Sequence, residues 1–287
     1  MIIKTGFFIL LLSIQVVLAQ PDTFQTVFFK VTRAHEPQTS YLFGTHHAFG
    51  KSFFDSLSDV RQSLMSCDVL IKENLNIPGQ TTEDIINRRT TTTRWNKYLN
   101  KTDLAFIETL FASSPTDFHK MTPTEMYVFL NRYFKQQFCL PRDSTDTSLS
   151  LDDYIGSIAK QGKLNLIGLE TTEEQIDLIN KDVEGMPRKV HKKRLAGVIN
   201  IIRSGNTEHC EQTAWYRNMN MDYQLDAPCQ NALILTGRND RWMKKIASSI
   251  GSNSCFIAVG LSHLMYECGL ISQLQGKGYT ITPVMIK

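Results

Sequence analysis

The chain lacks most of the short signatures that announce an enzyme class. It has no Gly-x-Ser-x-Gly nucleophile elbow, no Walker loop, no dinucleotide-binding Gly-x-Gly-x-x-Gly and no His-Glu-x-x-His. The common serine-hydrolase, nucleotide-binding and helical zinc-protease readings therefore have no starting point. Cys-x-x-Cys is missing too, which argues against a structural zinc site of that type. Charge imbalance is small, since 31 basic and 28 acidic residues give a formal +3. The one basic cluster, residues 188–194, sits among helical residues and reads as a solvated face. A nucleic-acid partner is therefore not expected. No low-complexity tract or solenoid period occurs.

Long apolar runs are scarce as well. The one present spans residues 7–17, follows Lys4 and leads into Val17-Leu18-Ala19-Gln20. It is shorter than the ~20 apolar residues of a membrane-spanning helix. Small residues at the cleavage positions predict a signal peptide over residues 1–19, removed after Ala19. Loss of Lys4 then takes the formal charge from +3 to +2. Residues 20–287 are expected to be secreted or periplasmic, without stable membrane insertion. They suffice for one α/β domain with a sizeable core.

Six cysteines fall in that stretch: Cys67, Cys139, Cys210, Cys229, Cys255 and Cys268. An even count in an exported protein favours disulfides, although six cysteines allow 15 pairings. Cys210–Cys229 is the preferred pair, because both flank one polar, helical excursion. Cys255–Cys268 is the second, bridging a strand start and a helix around His263. Asn100-Lys101-Thr102 is a glycosylation sequon.

What the chain does contain is one plan used twice, an apolar strand running into Gly-x-x-His and then a helix. The first copy is Tyr41-Leu42-Phe43-Gly44-Thr45-His46-His47, and the second is Phe256-Ile257-Ala258-Val259-Gly260-Leu261-Ser262-His263. Around them, periodicity predicts strands at 26–33, 39–43, 68–73, 164–168, 255–259 and 279–284. Helices are predicted at 57–65, 151–160, 173–180, 241–249 and 270–275. Regions of about 81–140 and 187–235 read as largely helical insertions, with Thr122-Pro123 opening one helix. Residues 141–150 read as a loop. The alternation predicts an α/β fold with a mostly parallel central sheet flanked by helices.

A parallel sheet puts its strand C-termini on one edge, where ligands of open α/β folds bind. That edge would gather His47, Glu73, Glu170 and His263, each just beyond a strand. His46 competes with His47, but spacing from Gly44 favours His47. Two imidazoles and a carboxylate make a common open metal site. Glu73 or Glu170 could supply the acid. Gly237 is expected to break a helix, and Asn239 or Asp240 to cap the next. Arg238 is a poor choice beside a helix start for stability, so it is expected to pair with an acid or stabilise an oxyanion.

With these residues assembled, the sequence resembles the TraB/PrgY/GumN family, which includes the Tiki-type proteases. The resemblance rests on the two Gly-x-x-His segments and on Cys67-Asp68-Val69-Leu70-Ile71-Lys72-Glu73. It rests also on Gly168-Leu169-Glu170-Thr171-Thr172-Glu173-Glu174-Gln175, Arg238-Asn239-x-x-Trp242-Met243 and Gly278-Tyr279-x-Ile281-x-Pro283. It implies a fold shared with erythromycin-esterase-like and haem-binding relatives. It also implies a divalent metal (Mn, Co or Zn) on His47, Glu73 and His263, with Glu170 and Arg238 in support. The chain departs from relatives at Lys72-Glu73-Asn74, where a second acid is common. The expected function is a secreted metal-dependent hydrolase, in the first place a peptidase. Metal-bound water would attack the carbonyl of a peptide or protein, with Glu73 or Glu170 as base and Arg238 polarising the oxyanion. The competing expectation is a protein that binds a peptide or haem without turnover.

Overall fold

A computed structural model describes residues 23–140 and 149–286. The expected signal peptide lies outside the described residues, as does most of the loop expected at 141–150. The described residues form eight strands: β1 (Thr23–Phe24), β2 (Phe28–Thr32), β3 (Ser40–Thr45), β4 (Val69–Lys72), β5 (Asn165–Gly168), β6 (Met221–Asp222), β7 (Cys255–Gly260) and β8 (Thr280–Pro283). The first helices are α1 (Lys51–Asp55), α2 (Ser58–Met65), α3 (Thr82–Asn87), α4 (Lys101–Phe111), α5 (Pro123–Phe134) and α6 (Leu151–Gln161). Then follow α7 (Thr172–Lys181), α8 (Arg188–Ser204), α9 (Glu211–Asn218), α10 (Gly237–Ile250) and α11 (Leu270–Gly276).

Six strands form one mixed sheet in the order β5-β4-β7-β3-β2-β8. The four from β5 to β3 are parallel, and β2 runs antiparallel to both β3 and β8. The parallel strands are short apolar runs. Val69-Leu70-Ile71 of β4 and Phe256-Ile257-Ala258-Val259 of β7 are buried throughout, as expected when helices cover both faces. The α/β sheet expected from the sequence is thus present, mostly parallel and flanked by helices.

One feature of its order decides the site. β7, the last parallel strand in the chain, inserts between β3 and β4, so Thr45 pairs with Gly260 and Lys72 with Ala258. The two Gly-x-x-His turns therefore leave the sheet side by side. Gly44 permits the approach: a Cβ there would meet Leu264 Cδ1 at 2.7 Å and Leu261 Cδ1 at 2.8 Å.

The helices start where their caps dictate. Thr122 and Thr171 close capping boxes with Glu125 and Glu174, and Ser150 caps α6 through the Asp153 N–H. Asn100, the sequon asparagine, caps α4 by accepting from the Asp103 N–H at 2.8 Å. Helices α3, α4, α5 and α8 supply most of a second apolar cluster, which includes Ile86, Ile107, Met126, Leu130, Leu195 and Ile199. It corresponds to the expected helical insertions. Residues 219–231 depart from that expectation, because Met221 and Tyr223 join the main core and β6 pairs with β1.

The cysteine pairing differs from both expected bridges. Cys139 bonds Cys210, and Cys229 bonds Cys268. Cys210 follows α8 and lies against the π-helical turn Lys135–Cys139 that ends α5. Cys229 lies in a loop tied to the second turn by the Glu267 N–H on Ala227 O at 3.0 Å. Cys255 opens the central strand β7, buried and free, as is Cys67. A thiol fixed inside the sheet cannot reach the Cys268 loop.

Candidate functional site

The parallel register brings the expected site residues to one edge. Beyond β4 and β5 the chain segments stay paired, with the Glu170 N–H donating to the Glu73 carbonyl at 2.8 Å. Glu73 and Glu170 thus sit side by side, both buried. Between them and the second turn stands Arg238, in the first turn of α10 and 8% exposed. Its Nη2 donates to Glu73 Oε2 at 2.8 Å and Glu170 Oε1 at 2.5 Å, and its Nε donates to Glu170 Oε2 at 3.1 Å. Its Nη1 donates to His263 Nε2 at 3.0 Å. A guanidinium has five N–H donors, so these bonds leave one on Nη1.

His263 is 3% exposed, and its tautomer follows from its neighbours. The Asn239 amide nitrogen donates to the carbonyls of His263 and Cys268 at 3.3 and 2.9 Å. Its Oδ1 is thereby an acceptor, 2.7 Å from His263 Nδ1. The proton sits on Nδ1, and Nε2 offers its lone pair to Arg238. Burial is the main reason the pKa of His263 drops to about 4, with the charges of Arg238 and His47 adding to it against the pull of Glu73. Trp242, one turn after Arg238, packs against both, its ring tilted 43° to the imidazole at 4.3 Å between centroids and lying 4.5 Å from the guanidinium carbon. Its indole N–H donates to Glu170 at 3.2 Å.

His47 is in the opposite state. Its side chain is 59% exposed, and its Nδ1 faces Asp152 Oδ2 at 2.8 Å. The Asp152 carboxylate raises its pKa to about 9, aided by Glu73, so the ring is an imidazolium at neutral pH. Asp152 is held by the Thr45 hydroxyl at 2.6 Å, and Leu151 N–H bonds the Phe49 carbonyl at 2.7 Å. The first turn is thus docked on the N-terminus of α6, where the helix dipole favours a carboxylate. Burial would raise the Asp152 pKa, but His47, Thr45 and Lys72 outweigh it and hold the carboxyl ionised.

Glu73 joins the two halves. Its Oε1 accepts the Gly260 N–H at 2.8 Å and lies 4.0 Å from His263 Nε2. Its Oε2 also accepts from Gln175 at 2.9 Å. Burial alone would raise its pKa, but the charge of His263 where that ring is protonated, and those of Arg238 and His47, keep it below its ordinary value.

The expected residues His47, Glu73, Glu170, His263 and Arg238 therefore lie along one edge, with two departures. Neither Asn239 nor Asp240 caps α10, whose N-cap is Thr236. Asn239 is instead fully buried as the partner of His263. His263 is a core residue rather than one on an open rim. His46 has a packing role, with its ring against Phe49 and Tyr216 and its pKa lowered to about 4, chiefly by burial. Asp152, Gln175 and Tyr216 were not anticipated. Tyr216 donates to the Gly44 carbonyl at 2.7 Å and fixes the first turn from behind. Gln175 ends the 168–175 segment on which the resemblance rests, but no local pattern pointed to the other two.

As arranged, the expected metal ligands do not form a ligand set. Arg238 engages His263 Nε2 and Glu73 Oε2, while the Gly260 N–H takes Glu73 Oε1. Among the described residues, no three His, Cys, Asp or Glu side chains are grouped to hold a metal ion.

The TraB/PrgY/gumN family model matches residues 27–283, nearly the whole described chain, and the chain belongs to that family. No curated protein and no solved structure matches it.

Proposed function

We propose that this member of the TraB/PrgY/gumN family is a secreted hydrolase of peptides or proteins, with its active site between the two Gly-x-x-His turns. One arrangement carries the reading: His47 stands 2.8 Å from the Asp152 carboxylate, which favours its protonated form, while Glu73, held by Arg238 and the Gly260 N–H, lies 4.0 Å from Nε2 of the buried His263. Environments that push neighbouring titratable groups apart in this way separate a proton donor from proton acceptors.

In the proposed reaction Glu73 takes a proton from water as the oxygen bonds the carbonyl carbon. The remaining Nη1 hydrogen of Arg238 stabilises the oxyanion. Collapse breaks the carbon–nitrogen bond, and His47 Nε2 gives its proton to the departing amine. Solvent then returns the proton from Glu73 to His47. Glu73 Oε1 accepts only the Gly260 N–H and keeps a lone pair for that proton, whereas Glu170, gripped by Arg238 on both oxygens and by Trp242, is a positioning residue. No step runs through a divalent ion. The leader-like residues 1–19 and the two disulfides support export. Kinship with the erythromycin-esterase-like and haem-binding folds belongs to the same proposal, supported by a site at the strand ends.

A peptide library incubated with purified protein and read by mass spectrometry tests this. The expected result is cleavage that His47→Gln and Glu73→Gln each slow by about 10²–10⁴-fold. Saturable binding of peptide or haem without any cleavage would overturn the hydrolase reading and leave a binding protein.

A further inference from the structure

Among the described residues, Arg238 is the one Lys or Arg paired with Glu73 or Glu170. Two carboxylates, the Nε2 lone pair of a neutral imidazole and the face of Trp242 converge on its guanidinium. Such an arrangement is a coordination shell for a cation, filled here by a side chain.

A divalent ion on His263 would need its Nε2, because Nδ1 carries the proton that Asn239 accepts. That lone pair is committed to Arg238, and so is Glu73 Oε2. Entry of an ion would set two positive charges against the guanidinium. Burial of the guanidinium leaves that repulsion poorly screened. Arg238 cannot withdraw cheaply either, since Glu170 grips it with both oxygens and Trp242 covers it.

We infer that Arg238 is the resident cation of this site: it holds the place a divalent ion would occupy, and removing its guanidinium creates a metal site on Glu73, Glu170 and His263.

The test is calorimetric titration of zinc, manganese and cobalt chlorides into chelator-treated wild type and Arg238→Ala, with thermal melting alongside. Wild type is expected to show no stoichiometric uptake and no shift in Tm. Arg238→Ala is expected to melt lower than wild type, bind one equivalent at least about 10-fold more tightly, and regain Tm with the ion. Adding His263→Asn to Arg238→Ala should abolish that uptake. Arg238→Met, which keeps an apolar stem, replaces Arg238→Ala if the latter does not fold. One equivalent bound by wild type with micromolar affinity overturns the inference, as does a folded Arg238 variant that takes up no ion. Because heat and melting report binding without turnover, a protein inactive on peptides counts against the hydrolase reading alone.

Discussion

Asp152 Oδ2 stands 2.8 Å from His47 Nδ1, and the other oxygen of the same carboxylate holds the Thr45 hydroxyl. The first Gly-x-x-His turn is thus clamped to the start of a helix more than a hundred residues away. The proton on His47 is a product of that clamp. Asp152→Asn is expected to return the His47 pKa from about 9 toward its ordinary 6.5. The histidine proton shifts followed by NMR across pH 5–10 measure it. A His47 that titrates alike in both proteins would mean that the pair does not form in solution.

The histidines also give stability opposite slopes on the two sides of neutrality. Between pH 6.5 and about 9 only folded His47 keeps its proton, so its stabilisation is complete below 6.5 and is lost as pH rises through 9. Below pH 6.5 the unfolded chain takes up protons that folded His263 and His46 refuse until about pH 4. Stability therefore also falls from pH 6.5 to 4, with His263 contributing about 3 kcal/mol at most. Melting temperature should peak near pH 6.5 for these groups. His47→Gln should flatten the alkaline limb and leave the acid limb in place, which a pH series of thermal melts decides.

Much of this was legible in the sequence. Short apolar runs ending at Gly44, Gly168 and Gly260 specify buried parallel strands, and residues just past a strand end must lie on its edge. That logic placed Glu73, Glu170 and both histidines together, and Arg238 joined them as the expected partner of an acid. It could not reveal that β7 inserts between β3 and β4, since strand order depends on crossovers that leave no local pattern. It also mistook the surroundings of His263. Asn239 looks like a cap on paper, and only packing shows that its amide faces inward. The cysteine bridges were misread for the same reason, because proximity along the chain says little about a turn folded against a distant loop.

Gly44→Ala is expected to destabilise the protein by about 1–3 kcal/mol, the usual range for overpacking. The added methyl would run into Leu261 and Leu264 at 2.8 and 2.7 Å and push the second turn away from the first. Urea denaturation measures the loss, and peptide cleavage should fall with it. An unchanged midpoint would show that the turns are not in contact.

Peptide mapping under non-reducing conditions should recover the Cys139–Cys210 and Cys229–Cys268 linkages. Cys67 and Cys255 are buried, and burial pushes both thiols up to about 12. They should resist alkylation in the native protein and react after denaturation. Recovery of Cys210 linked to Cys229 would contradict the packing of the helical region against the core.

The most direct measurement is the initial rate of peptide cleavage by wild type, His47→Gln, Glu73→Gln and the double variant, with circular dichroism confirming that each is folded. A donor and an acceptor serving one bond must fail together. Each single variant is expected to lose about 10²–10⁴-fold, and the double variant to fall little further than the worse single. Losses that multiply, or single variants with wild-type rates, would contradict a site shared by the two turns.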